Sequence, residues 1–202
     1  MKKSYIFGTA MIIALAFASC GSEKQAVNNQ PRNNGSNNPF GEVYEAPCTV
    51  YDTDTEFTAT GVYRGSSNQK GEVHKYALQN AQQLVRMKIK HAYKGMVSDF
   101  SQSIGNNQGN DIEAKVAMAG DQIIDAVVNN TSESCLRWGG VGDDGHIECY
   151  VAIKISKVDL AQKIATAVDN KLSQEDKLRI GFDEKVYRDD MEKRFENYKG
   201  NE

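Results

Sequence analysis

Residues 134–156 read SCLRWGGVGDDGHIECYVAIKIS, and the architecture assigned to the rest of the chain depends on how they are understood. Two apolar and aromatic runs, Ser134–Val141 and Ile147–Ser156, flank Gly142, Asp143, Asp144 and Gly145. Asp-Gly tolerates the positive φ that a tight hairpin requires, so the pattern predicts two antiparallel strands and a short turn. Gly140, Gly142 and Gly145 also spell GxGxxG. A dinucleotide loop must leave a strand and open a helix, whose N-terminus receives the pyrophosphate. Here a second strand follows, so the glycines are read as hairpin chemistry.

Upstream, Thr55–Tyr63 (TEFTATGVY) is rich in Thr, aromatic and β-branched residues in alternation, which suits a further strand. Two helical patterns separate it from the hairpin. Leu78, Ala81, Val85, Ile89, Ala92, Met96 and Phe100 recur at steps of three and four between about Gly71 and Ile104, and Gly105–Gly109 (GNNQG) ends the run. Ile112, Val116, Ala119, Ile123 and Val127 repeat the spacing from Asp111 until Asn129 and Asn130. After the hairpin, Leu160, Ala161, Ile164, Ala165 and Val168 mark another helix, and Ser173 with Asp176 caps a last, heavily charged one ending near Tyr198. The order strand, helix, helix, strand, strand, helix, helix predicts an α+β fold. It consists of a small antiparallel sheet of about three strands, two long helices packed on it, and a C-terminal helical extension over 173–202.

Composition narrows the function classes. The chain has 202 residues, 40% hydrophobic and 25% charged, with a formal net charge of −3. That is ordinary for one folded domain with a core. A phosphate-binding surface needs an excess of Lys and Arg, so nucleic acid is not an expected partner.

The N-terminus carries a separate signal. Lys2 and Lys3 precede a nearly uninterrupted apolar run from Ile6 to Phe17, too short for a mature membrane span and the right length for an export signal. Ala18 and Ser19 then lead into Cys20. This resembles the lipobox of bacterial lipoproteins, with Phe17 where Leu is most common. The resemblance implies removal of residues 1–19 and acylation of Cys20, so that lipid chains hold the protein to a membrane without a transmembrane helix. Residues 21–46 are dominated by Asn, Gln, Gly, Ser and Pro and have too little apolar surface to offset their ordering entropy. They read as a tether, of reach roughly 28 Å as a flexible coil. The domain proper is then 47–172.

The element order, the ATG strand (Ala59, Thr60, Gly61), the alanine-spaced helix around Tyr76 to Leu84 and the second hairpin strand CYVAIKIS (Cys149–Ser156) together resemble the Lpp-twenty lipoprotein family. They also resemble the related N-terminal domain of the flagellar assembly protein FlgT, and the resemblance covers about residues 56–170 of this chain. The resemblance implies helices on a small sheet, attachment at the bacterial outer membrane facing periplasm or cell surface, and no catalysis. Its one transferable functional residue is the lipidated cysteine, Cys20.

Reactive residues form no recognisable constellation in the sequence. His74, His91 and His146 stand far apart, and His146 with Glu148 is two groups rather than a metal site. Gly65, Ser66 and Ser67 lack the second glycine of a nucleophile elbow. No metal, cofactor or catalytic residue is assigned.

Export permits disulfides among Cys48, Cys135 and Cys149. Cys135 and Cys149 are about equally distant from the turn, which suggests a cross-strand bridge. Alternation puts their sulfurs on opposite faces unless a β-bulge intervenes. A bond involving Cys48, or three reduced thiols, are the alternatives.

Arg86, Lys90 and Lys94 recur every four residues, with Lys88 nearby, and read as a solvated helix face or a contact for an anionic surface. Val186, Tyr187, Met191, Phe195 and Tyr198 give the last helix an apolar edge that could dock at home or meet a partner. Tyr187, Met191 and Phe195, together with Trp138, are therefore the candidate partner or ligand face. The expected role is a non-catalytic envelope interaction module with a protein partner or self-association. Its alternative is a glycan or small-ligand binder using Phe57, Tyr63, Trp138 and Tyr150.

Overall fold

The computed structural model describes residues 45–104 and 110–198. The export signal, Cys20, nearly all of the tether, the expected helix stop at 105–109 and the last four residues lie outside the described residues. The elements are β1 (Glu56–Ser66), a 3-10 turn (Ser67–Gln69), α1 (Lys70–Ile104), α2 (Asn110–Asn129), β2 (Glu133–Trp138), β3 (His146–Ser156), α3 (Lys157–Lys171), α4 (Gln174–Ile180) and α5 (Glu184–Asn197). The sheet is antiparallel throughout, in the order β1-β3-β2. The fold is α+β, as the pattern predicts.

Central strand β3 buries the whole of one face, and on the other face Tyr150 and Ala152 are buried as well. Ile147, Cys149, Val151, Ile153 and Ile155 are all buried in the main core, opposite Phe57, Ala59 and Gly61 of β1 and Leu136 of β2. α1 lies directly on this face. A Cβ added to Gly61 would stand 2.2 Å from the Ala77 carbonyl and 2.3 Å from the Ala81 amide nitrogen. The ATG strand and the alanine spacing of α1 are thus the two halves of one close contact, possible only while both sides stay small.

α1 has 35 residues and β1 only 11, lengths of roughly 52 Å and 36 Å respectively. The far end of α1 therefore overhangs the sheet and needs other cover. α2 supplies part of it through Ile112, Val116, Ala119, Ile124 and Val128. The expected Ile123 and Val127 are only partly buried, so the stripe is centred one position later than its spacing suggests. Arg86 binds Asp125 at 3.0 Å and Asn129 at 2.6 Å, and Lys90 binds Asp125 at 3.0 Å. Two of the three regularly spaced basic residues therefore form an ionic seam between helices.

β1 is an edge strand, and its outward backbone groups find partners in side chains. The Thr58 amide donates to Asp52 at 2.7 Å. Lys88 donates to the Thr58 carbonyl and to Asp52, both at 2.9 Å, and Asn80 donates to the Val62 carbonyl at 2.8 Å. This blunts the edge against pairing with another chain.

The hairpin loop closes as its glycines predict, with Gly145 at φ 73° and its amide donating to the Gly142 carbonyl at 2.9 Å. β2 stops at Trp138, three residues short of the expected Val141.

β3 passes straight into α3, where Ser156 is both strand end and N-cap, accepting from the Asp159 amide. Leu160, Ala161, Ile164, Ala165 and Val168 are buried as their spacing predicts. The last helix is a correction: it is two helices, broken at Gly181–Asp183. Among the described residues no helix is long and apolar enough to cross a membrane.

Candidate functional site

The sequence Gly181-Phe182-Asp183 builds one wall of a cleft at the far end of α1. Gly181 ends α4 in the left-handed region at φ 63°, a conformation that disfavours a Cβ. The reversal lets the Phe182 amide donate back to the Lys177 carbonyl at 2.9 Å and turns the Phe182 ring inward. Asp183 then starts α5 by accepting from the Val186 amide at 2.9 Å. α4 itself begins with a reciprocal cap, Ser173 and Asp176 each accepting from the other's amide.

The overhanging end of α1 is the opposite wall, contributing Met96, Asp99 and Phe100, and the first turns of α5 complete a cleft of about 440 Å³. Three rings meet there at an angle rather than in a stack. Phe100 and Tyr187 have centroids 5.3 Å apart at 76°, Phe100 and Phe182 are 6.3 Å apart at 89°, and Phe182 and Tyr187 are 5.5 Å apart. Asp99, Asp183 and Asp190 line the same cleft with one cationic group among the described residues, Arg194, which is ion-paired to Asp99, while Asp190 pairs with Lys193 at 3.6 Å. A second hollow of about 480 Å³ shares Asp190 and Arg194 and continues along α5 past Asn197.

Beneath the cleft the chemistry is neutral. Tyr93 donates its hydroxyl to the Val116 carbonyl at 2.7 Å and lies 3.4 Å from the Tyr187 hydroxyl. Burial pushes the Tyr187 phenol up to about 12 and raises Tyr93 as well, so both stay protonated at neutral pH.

Of the two readings of the α5 edge, docking at home is the one the structure shows, and the candidate partner or ligand face of Tyr187, Met191 and Phe195 is corrected. Tyr187, Met191 and Phe195 are 4%, 0% and 0% exposed, packed into the domain's own core. Phe195 meets Phe57 edge-on at 5.1 Å, and Lys157 lies 4.9 Å over the Phe57 ring while donating to the Tyr198 carbonyl at 3.2 Å. Of the stripe, Val186 is exposed and Tyr187 lines the cleft. Trp138 is 37% exposed, with the Lys70 ammonium 5.9 Å over its ring, away from the α5 cleft. The aromatic sheet residues form no common platform: Phe57 is in the core, Tyr150 is on the opposite face, and Tyr63 and Trp138 flank β3 on either side of Cys149.

The Cys135–Cys149 bridge is also corrected. Cys135 bonds to Cys48, and Cys149 is a free, buried thiol. Cys149 lies on the core face opposite Trp138, whereas Cys135 pairs with Ala152 on the outer face, three positions along the ladder. The bulge in β2 falls between Glu133 and Cys135, beyond the pair, and cannot bring the sulfurs together. The segment before β1 crosses the outer face instead, where Thr60, beside Ala152, donates to the Cys48 carbonyl at 2.7 Å. Cys20 lies outside the described residues.

The remaining reactive groups are dispersed. His146 turns to Asp144, Glu148 accepts from Tyr150, and His74 binds Glu133 at 2.6 Å across α1 and β2. Ser66 caps the 3-10 turn. Among the described residues no three His, Cys, Asp or Glu side chains converge as metal ligands. The residues missed in the sequence, Gly181, Phe182 and Asp183, did carry a signal: a helix-ending glycine followed two positions later by an N-cap. A comparison with protein-family models finds no match to this chain. A search of curated proteins finds no significantly similar relative.

Proposed function

We propose that the protein is a bacterial envelope lipoprotein, held at the outer membrane by acyl chains on Cys20, whose α+β domain is an interaction module without chemistry of its own. The observation that carries the reading is the Cys48–Cys135 disulfide. Such a bond belongs to an oxidising compartment outside the cytoplasm, where the N-terminal export pattern would deliver the chain. The lipobox resemblance supplies the anchor, the polar segment after it supplies reach, and the likeness to Lpp-twenty lipoproteins supports the same location. The α5 cleft offers a surface for a partner.

Metabolic labelling with palmitate, followed by fractionation, tests the anchor. The full chain should incorporate label and sediment with membranes, and Cys20→Ser should do neither. Retention of the unlabelled variant with membranes would overturn the anchor. Affinity isolation of the acylated protein from solubilised envelopes tests the module: a stoichiometric companion is expected, and recovery of monomer alone would overturn it.

A further inference from the structure

We propose that the cleft between the end of α1 and the start of α5 receives a lysine side chain from an apolar-flanked segment of a partner polypeptide. This deepens the interaction reading above and takes its biological role from it. The lining sets the sign of the ligand. Three carboxylates, Asp99, Asp183 and Asp190, face one guanidinium, Arg194, so the cleft carries a net negative charge. Arg194 is committed to Asp99, and Lys193 makes only a long, solvent-exposed pair with Asp190 at 3.6 Å, which an incoming cation can displace, so Asp183 and Asp190 are the rim groups that meet it. An anion has no corresponding place, because the Asp183 carboxylate already accepts the Val186 amide at the α5 N-terminus.

The rings supply the second half of the recognition. Phe100 meets Phe182 and Tyr187 at steep angles, Phe182 and Tyr187 tilt at 47° to each other, and the three make an aromatic corner lining the cleft. An ammonium is attracted to a ring face by its quadrupole, while the methylene stem of lysine packs on apolar walls. Fixed by the Gly181 turn and by the core behind Tyr187, the corner needs little ordering on binding. Its volume of about 440 Å³ falls within the range of roughly 300–1,000 Å³ typical of ligand clefts. The second hollow shares Asp190 and Arg194 and adds Lys193, Asn197 and Tyr198 along α5, so the groove extends past the acidic rim, which suits a chain with one lysine and uncharged neighbours better than a compact molecule.

The test uses the full chain in non-ionic detergent, titrated by calorimetry and by NMR with acetyl-Leu-Lys-Leu-amide. Its control carries norleucine in place of lysine, alike in shape but uncharged. The lysine peptide should bind at least five-fold more tightly, shifting the ring signals of Phe100 and Phe182. Asp190→Asn should reduce that preference below two-fold with unchanged melting, since Asp190 is exposed. Val186→Arg, at a position 59% exposed beside the cleft, should block both peptides without disturbing the core. Equal binding of the two peptides, or binding indifferent to both variants, would overturn the proposal. Butylammonium binding as tightly as the lysine peptide would overturn the assignment to a polypeptide. Membrane attachment is measured separately, so failure of the cleft leaves that result standing, and failure of attachment leaves the peptide affinity readable.

Discussion

Cys48 holds a positive φ of 59° and carries the bond that ties the segment before β1 to β2. The bridge spans a sequence separation of 87 residues. In the chain-entropy account, closing a loop of that size stabilises by up to about 4–5 kcal/mol, of which real proteins commonly realise about 2–4. Cys48→Ser should therefore lower the melting temperature by about 5–15 °C, and reductant should reproduce the loss in the unaltered chain. Unchanged melting in both would mean that packing alone holds the segment. Asp176 makes a second prediction. Hydrogen bonds from Lys115 at 3.0 Å, and then from Ser173, lower its carboxyl below the usual value. A depressed acid stabilises the fold above its unfolded pKa, and that contribution is lost as pH falls through the folded one. Asp176→Asn should flatten the stability curve on the acid side of about pH 4, read by denaturant titration at several pH values. An equally steep acid limb in the variant would place the loss elsewhere.

Among the elements, the crossing of α1 over β1 tolerates the least change. Any side chain at Gly61 collides with α1 backbone at Ala77 and Ala81 rather than with movable side-chain atoms. Gly61→Val should therefore cost more than about 3 kcal/mol, beyond the usual range for overpacking, because the obstruction cannot rotate away. Chemical denaturation measures it, and a cost below 1 kcal/mol would show that the helix can lift. The stripe of α1 was legible because packing on one face imposes a period of 3.6 on a long helix. The break between α4 and α5 was not read, since charged residues crowd both sides of it and the apolar edge begins only beyond it, at Val186. Gly181 and Asp183 carried the only local sign. The edge of β1 was illegible for another reason: Asn80 and Lys88 lie on α1, 18 and 30 residues from the groups they meet, and Asp52 reaches Thr58 only because the segment before the strand folds back along it.

For the molecule as a whole, the C-terminal helices are part of the core and not an appendage. Ending the chain at Leu172 would expose Phe57, orphan the Tyr93–Tyr187 contact and deprive Lys157 of the Tyr198 carbonyl. Loss of Tyr187, Met191 and Phe195 removes about 1.5–3 kcal/mol each, comparable together with the 5–15 kcal/mol of a typical domain. The truncated chain should melt at a markedly lower temperature and bind hydrophobic dye, and full retention of the melting transition would return α5 to the role of a free partner face. The element types, the hairpin and the α+β class follow from the residue order alone, because hydrophobic period and turn chemistry act over a few neighbouring residues. The partner of Cys135, the inward fate of the α5 stripe and the aromatic cleft were decided only by tertiary packing. Each depends on which surfaces face one another across segments far apart in the chain, and local patterns carry no information about that pairing.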